Sequence, residues 1–100
     1  MNIFNSKDTP SIGNETFSTL FESKNLKIEH IQSNTFHNGQ WYEQAEIEWV
    51  FLAKGEAQIE FETHIKTLTT GDYLLIKAHQ RHRVLSTSTD AHWIALHVKN

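Results

Sequence analysis

The sequence predicts one all-β domain, an antiparallel sandwich or barrel, on three observations. Short runs with apolar content recur from Phe17 onward, punctuated by turn residues at the roughly eight- to twelve-residue spacing of all-β folds. Within these runs apolar and polar side chains alternate, as where Ala57, Ile59 and Phe61 interleave with Gln58, Glu60 and Glu62. A helix across residues 46–61 is rejected, because Gly55 would interrupt it and the alternation beyond has the period of a strand. With 100 residues the chain has material for one core rather than two.

Taken in order, residues 1–16 are mostly polar, hold the only proline and read as a flexible N-terminal arm, leaving residues 17–100 as the β domain. Residues 17–22 and 26–31 flank Ser23, Lys24 and Asn25 as a hairpin, with Leu26 and Ile28 on one face and Lys27 and Glu29 on the other. Residues 47–53 are apolar on both faces apart from Glu48, which suggests a strand covered on both sides. Lys54 and Gly55 supply a turn before the alternating strand at 57–61. A short strand at 65–68, a turn at Thr70, Gly71 and Asp72, and a strand at 73–76 follow. A loop at 77–81 leads to a strand at 82–85, and a polar loop at 86–91 to the last strand at 92–98.

Composition narrows the function classes. A net charge of −3 gives no excess of Lys and Arg for a nucleic acid backbone, so no nucleic acid partner is expected. The longest apolar run, Trp49 to Ala53, is far short of the roughly 20 residues of a membrane helix, and the start of the chain lacks a secretion signal. No membrane association and a cytoplasmic location are therefore expected. The absence of cysteine removes disulfides and thiolate metal clusters and leaves seven histidines as the conspicuous chemistry.

Glu48 is the first candidate, because a carboxylate inside the most apolar strand must be paired, protonated or metal-bound. Counting back by twos, a continuous strand would put Gln44 and Tyr42 on the Glu48 side and Trp41, Trp49 and Phe51 on the other. His82 opens a strand after a loop and is the second candidate. His97 alternates with Trp93 and Ala95 while His92 alternates with Ile94 and Leu96, so only one of these two histidines should face inward. His30, His37 and His64 read as surface or turn residues, and Lys77, Arg81 and Arg83 as a basic loop balancing acidic residues elsewhere. No nucleophile elbow or phosphate-binding glycine loop is present.

Glu48 followed by Gly55 resembles the end of the first cupin motif, and Gly71 through His82 resembles the second. The resemblance runs from about Phe17 to Val98 and is nearest to short bacterial single-domain cupins of unassigned role. It implies a cupin double-stranded β-helix, a jelly-roll-like antiparallel barrel in a single domain. In this family two histidines of the first motif, its glutamate and the histidine of the second motif hold a divalent metal. Here those first-motif histidines fall on Tyr42 and Gln44, while Glu48 and His82 are retained. The family's proline and glycine fall on Lys77 and His79, and its asparagine on Ser86.

The resemblance therefore implies a pocket binding a small polar molecule. Gln44, Glu48 and His82 are the candidate ligands of a divalent iron, manganese, nickel, copper or zinc ion, or else no metal is bound. Tyr42 and Glu48 are the candidate catalytic groups of a dioxygenase- or isomerase-type reaction, and Tyr42, Gln44, His79 and His97 the candidate substrate contacts. Glu48 as an acceptor of internal hydrogen bonds stands beside this reading, as does a non-catalytic dimeric regulatory module. The aromatic stripe of Trp41, Trp49 and Phe51 suggests burial against a second subunit, hence a homodimer.

Overall fold

The computed structural model describes residues 1–99, so residue 100, the expected end of the domain, lies outside the described residues. Eight strands follow a 3-10 turn at Ile3–Asn5: β1 (Asn14–Glu22), β2 (Leu26–Asn34), β3 (Ile47–Lys54), β4 (Glu56–Phe61), β5 (Ile65–Thr69), β6 (Tyr73–Ile76), β7 (His82–Thr87) and β8 (Ala91–Val98). They form a five-stranded sheet in the order β1-β2-β8-β3-β6 and a three-stranded sheet in the order β5-β4-β7, with every named pairing antiparallel. The core lies between the sheets and includes Val50 and Leu52 of β3, Ala57, Ile59 and Phe61 of β4, Leu68, Ile76 and Trp93. Leu52 and Ile76 are fully buried, each worth about 1.5–3 kcal/mol in apolar area removed from water.

The chain passes from the large sheet to the small one at Gly55. Its φ of +104° lies where side chains are rarely tolerated, and an added Cβ would stand 3.0 Å from Ala91 Cα and 2.7 Å from Ser88 Oγ. The turn between β5 and β6 is tied by backbone bonds in both directions, Gly71 N donating to Leu52 O (2.7 Å) and Leu52 N to Asp72 O (2.9 Å). Asp72 Oδ2 also accepts from Thr69 N at 2.8 Å, which is the role of an acidic turn residue.

The structure departs from the sequence reading in four places. The first strand starts at Asn14, so the boundary expected after residue 16 falls inside β1; Glu15 and Thr16 already pair with Ser33 and Gln32. The strand containing Glu48 does not extend back to Tyr42. Tyr42 makes an isolated bridge to His82, and β3 begins only at Ile47. Trp41 consequently leaves the Trp49 stripe and lies under the Arg81 and Arg83 guanidinium groups, 4.5 and 4.8 Å from its ring centroid. Finally, His30 is buried at 5 % exposure instead of lying on the surface, because β2 is an inner strand between β1 and β8.

Candidate functional site

A cavity of about 200 Å³ opens between the two sheets. Its walls are apolar over most of their extent, including Ile31, Val50, Ile59, Ile76, Val84 and Trp93, with acidic, amide and imidazole groups gathered on one side. Alternation along three strands places that polar wall. On β3, Glu48, Val50 and Leu52 are buried while Ile47 is exposed and Trp49 and Phe51 are half-buried. Glu48 pairs in register with His97 of β8, so the two side chains leave the sheet side by side.

His82 reaches the same place from the opposite sheet. Its ring Nδ1 lies 2.9 Å from Gln80 O, a contact that requires the proton on Nδ1 and turns Nε2 toward Glu48 Oε1 at 3.5 Å. Gln44 Nε2 donates to the same Oε1 at 3.2 Å, and His97 Nε2 lies 3.8 Å from the other oxygen, Oε2. His97 Nε2 is also 3.4 Å from Glu29 Oε1, so carboxylates and imidazoles alternate along the wall from Glu29 through His97 and Glu48 to His82. Burial alone would lower the His82 pKa. Hydrogen bonding and charge from Glu48, with the Gln80 carbonyl, outweigh it and hold the imidazole above its usual value. On the rim, burial pushes the Glu15 carboxyl up even though Ser33 Oγ donates to it at 2.5 Å.

Of the candidates named from the sequence, Tyr42, Gln44, Glu48, His82 and His97 line this cavity. Tyr42 is positioned by its backbone, donating to His82 O at 2.8 Å and accepting from His82 N at 3.0 Å, while its side chain stays about half exposed at the mouth. His79 does not line the cavity. It is exposed, and it acts through its backbone, donating to Gln44 O at 2.6 Å from a left-handed conformation with φ +62°. This is the position of the family's glycine, and the positive φ is the reason glycine suits it.

Sequence reasoning missed Glu15 and Glu29. The sequence reading separated the Leu26 and Ile28 face of β2 from the Lys27 and Glu29 face; Glu29 and Ile31 line the cavity and His30 and Gln32 lie on the opposite side of the sheet. The detectable signal was Ile31, which shares the parity of Glu29.

The residues present do not fit the divalent transition metal implied by the resemblance. Among the described residues, no group of three or more His, Asp or Glu side chains is arranged to hold a metal ion. The donor chemistry gives the reason: Gln44 directs an N–H rather than its oxygen at Glu48, and the two imidazoles meet opposite oxygens of that carboxylate, flanking it rather than converging with it.

Comparison with known proteins agrees with this architecture. The family model described as "Cupin domain" matches residues 27–98. A solved structure from Ralstonia eutropha JMP134, provisionally named a mannose-6-phosphate isomerase, is 39 % identical, with a TM-score of 0.84 over 100 % of this chain and 97 % of that one. KdgF from Halomonas sp. is 15 % identical with a TM-score of 0.82, covering 100 % of this chain and 93 % of that one. An RmlC-like cupin from Shewanella frigidimarina NCIMB 400 is 18 % identical with a TM-score of 0.80, covering 97 % and 86 %. These last two likenesses are of fold alone. No curated protein matches the sequence. With the family model spanning most of the chain, which folds as two antiparallel sheets, the chain belongs to the cupin domain family.

Proposed function

We propose that the barrel cavity binds a small, uncharged molecule bearing hydroxyl or carbonyl groups, held by hydrogen bonds to Glu48 and His82. The observation that carries this reading is the makeup of the lining: one polar wall with acceptors and N–H donors side by side, facing apolar walls, with no Lys or Arg among the lining residues. A hydroxyl group can donate to a carboxylate and accept from an imidazole N–H at the same time, which matches the alternation along the wall. The name of the Ralstonia protein points to a sugar phosphate. A phosphate placed beside Glu29 and Glu48 would face two carboxylates with no Lys or Arg to offset them, so the unphosphorylated class is favoured here. Since a cavity of roughly 150 Å³ accommodates benzene, this one takes a ligand somewhat larger, on the scale of a monosaccharide or an aromatic acid amide.

In this reading Glu48 and His82 hold a mobile proton next to the ligand. Tyr42, at the mouth, supplies a hydroxyl that can donate to it, and Gln44 fixes the rotamer of Glu48. No step passes through a metal. The test is amide-shift mapping with matched pairs such as mannose and mannose 6-phosphate, among a wider set of neutral polyols and carbonyl compounds. Shifts confined to residues around Glu48 and His82, abolished in Glu48→Gln, are expected from neutral members. Preferential binding of phosphorylated members, or binding that survives Glu48→Gln and His82→Gln together, would overturn the reading.

A second copy of this chain is the partner we infer for the outer face of the five-stranded sheet. There Trp49 stacks on Phe51 at 6.0 Å and tilts against Tyr73 at 5.8 Å, while Leu75 and Ile47 beside them are exposed. Aromatic side chains gathered on one sheet face suit the self-complementary contact of a two-fold dimer. No helix is long and apolar enough to cross a membrane, and a chain without cysteine suits the reducing cytoplasm, where we place it.

A further inference from the structure

A second histidine cluster, unconnected with the cavity, lies on the outer face of the same sheet. His30 of β2 and His92 of β8 are 5 % and 2 % exposed, their rings lie within 10° of parallel with centroids 5.2 Å apart, and His30 Nε2 is 3.0 Å from His92 Nδ1. His92 Nε2 is 2.8 Å from Asp90 Oδ1. Asp90 also accepts from Gln32 Nε2 at 3.3 Å, and Lys54 Nζ meets its other oxygen at 2.7 Å. With the Lys54 bond as the main cause, Asp90 is held below its usual carboxyl value and stays a carboxylate.

That carboxylate sets every proton in the chain. His92 must donate from Nε2, which leaves Nδ1 as an acceptor, so His30 must donate from its own Nε2. Both imidazoles are then neutral, and no hydrogen bond among the described residues occupies His30 Nδ1, the site for an incoming proton. The N-terminal segment packs onto this pair, with the Phe4 ring meeting the His92 ring edge to face at 5.1 Å and 71°. Phe4 lies in the Ile3–Asn5 turn, whose start is capped by Asn2 Oδ1 accepting from Phe4 N at 2.8 Å.

We propose that His30, His92 and Asp90 form a pH-operated latch, which holds the N-terminal segment on the sheet through Phe4 while the imidazole pair is neutral and releases it when the pair gains a proton. The surroundings supply little to offset the new charge. The end of β3 contributes Lys54, already spent on Asp90, and the turn before β8 contributes Asp90 itself. From β1, Ser18 and Thr16 stand across from His30 and Gln32, and neither titrates. The N-terminal segment brings the apolar Phe4 ring against His92 and, further along, Asp8, whose backbone oxygen accepts from Thr16 Oγ1 at 3.2 Å. Opening the side covered by Phe4, the one not fixed by a strand ladder, would hydrate a cation here further. Burial is the main cause that lowers the His30 pKa, so the latch is intact above the ordinary imidazole value of 6.5 and is lost as pH falls through the lowered one.

The test uses the whole protein and two readouts, side-chain ¹⁵N shifts of the histidines and the {¹H}-¹⁵N NOE of residues 3–5, followed from about pH 8 to about pH 5. The expected result is strand-like order of residues 3–5 at the upper end and its loss with the midpoint of the His30 imidazole, while the β2 and β8 amides stay ordered. Replacing His30→Phe should make the order of residues 3–5 independent of pH. By reciprocity Phe4→Ala, a surface change that leaves the sheet intact, should move the imidazole midpoint up toward 6.5. The proposal is overturned by pH-independent order in the unaltered protein, by an unchanged imidazole midpoint in Phe4→Ala, or by loss of the segment only together with the whole sheet.

Discussion

The Glu48 and His82 pair should contribute to folding at acid-neutral pH and lose that contribution in alkali. At 3.5 Å, two unit charges attract by roughly 5 kcal/mol at the effective dielectric of about 20 that suits protein sites. Two features reduce this. Both side chains lose hydration, being 7 % and 12 % exposed, and Glu48 shares its oxygens with Gln44 and His97, which would partly compensate a missing His82. A coupling of about 1–2 kcal/mol is the expected remainder, measured by a double-mutant cycle of His82→Gln, Glu48→Gln and the double variant in urea. The sign with pH follows from the direction of the shift. His82 is raised in the folded state, so its contribution is fully present below the unfolded value of 6.5 and is lost as pH rises through the raised folded value. The cycle should therefore give its full coupling at about pH 6 and little at about pH 9. A coupling that is the same at both pH values, or larger in alkali, would refute an imidazolium at position 82 and with it the proton placement proposed for the cavity.

Three further substitutions probe other parts of the argument. His79→Gly relieves a left-handed strain of about 1–2 kcal/mol while adding about 0.5–1 kcal/mol of chain entropy, so urea midpoints should rise slightly, whereas the β-branched His79→Val should lower them. Gly55→Ala meets both a φ of +104° and backbone 3.0 Å from the new Cβ, and should lose about 2–4 kcal/mol in thermal or urea unfolding; a change below about 1 kcal/mol would refute the close approach. Trp49→Asp should reduce the mass in sedimentation from dimer to monomer while leaving neutral-ligand shifts at Glu48 and His82 in place, and an unchanged mass would refute the outer face as the dimer contact.

The parts of this molecule that could be read from sequence are those fixed by local rules. Glu48 was conspicuous because a carboxylate inside an apolar run has few places to go, and Gly55 and Gly71 marked turns that only their φ values permit. Other features depend on pairing between distant segments. Trp41 was assigned to the wrong stripe because the break between Tyr42 and Ile47 is decided by the bridge to His82, forty residues on in the chain by its numbering. The hairpin of β1 and β2 carries apolar residues on both faces, so the choice of which face looks inward waits for β8 to pair with it.

The histidines show how one rule produced both a correct and an incomplete result. Alternation along β8 does send His92 and His97 to opposite faces, and His97 is the one in the cavity. It does not follow that the other face is wet. His92 meets His30 and Asp90 there, and the pairing of β2 with β8 that puts Glu29 near His97 inside is the same pairing that brings His30 to His92 outside. Imidazole–carboxylate contacts thus lie on both faces of the five-stranded sheet, the inner ones completed by His82 of the small sheet, and the two sets have opposite electrostatics. The inner chain retains a proton on His82, and the outer chain excludes one from His30. Acidification therefore leaves the inner pair charged while it loads the outer one, so the cavity should keep its ligand contacts under the same conditions that free the N-terminal segment.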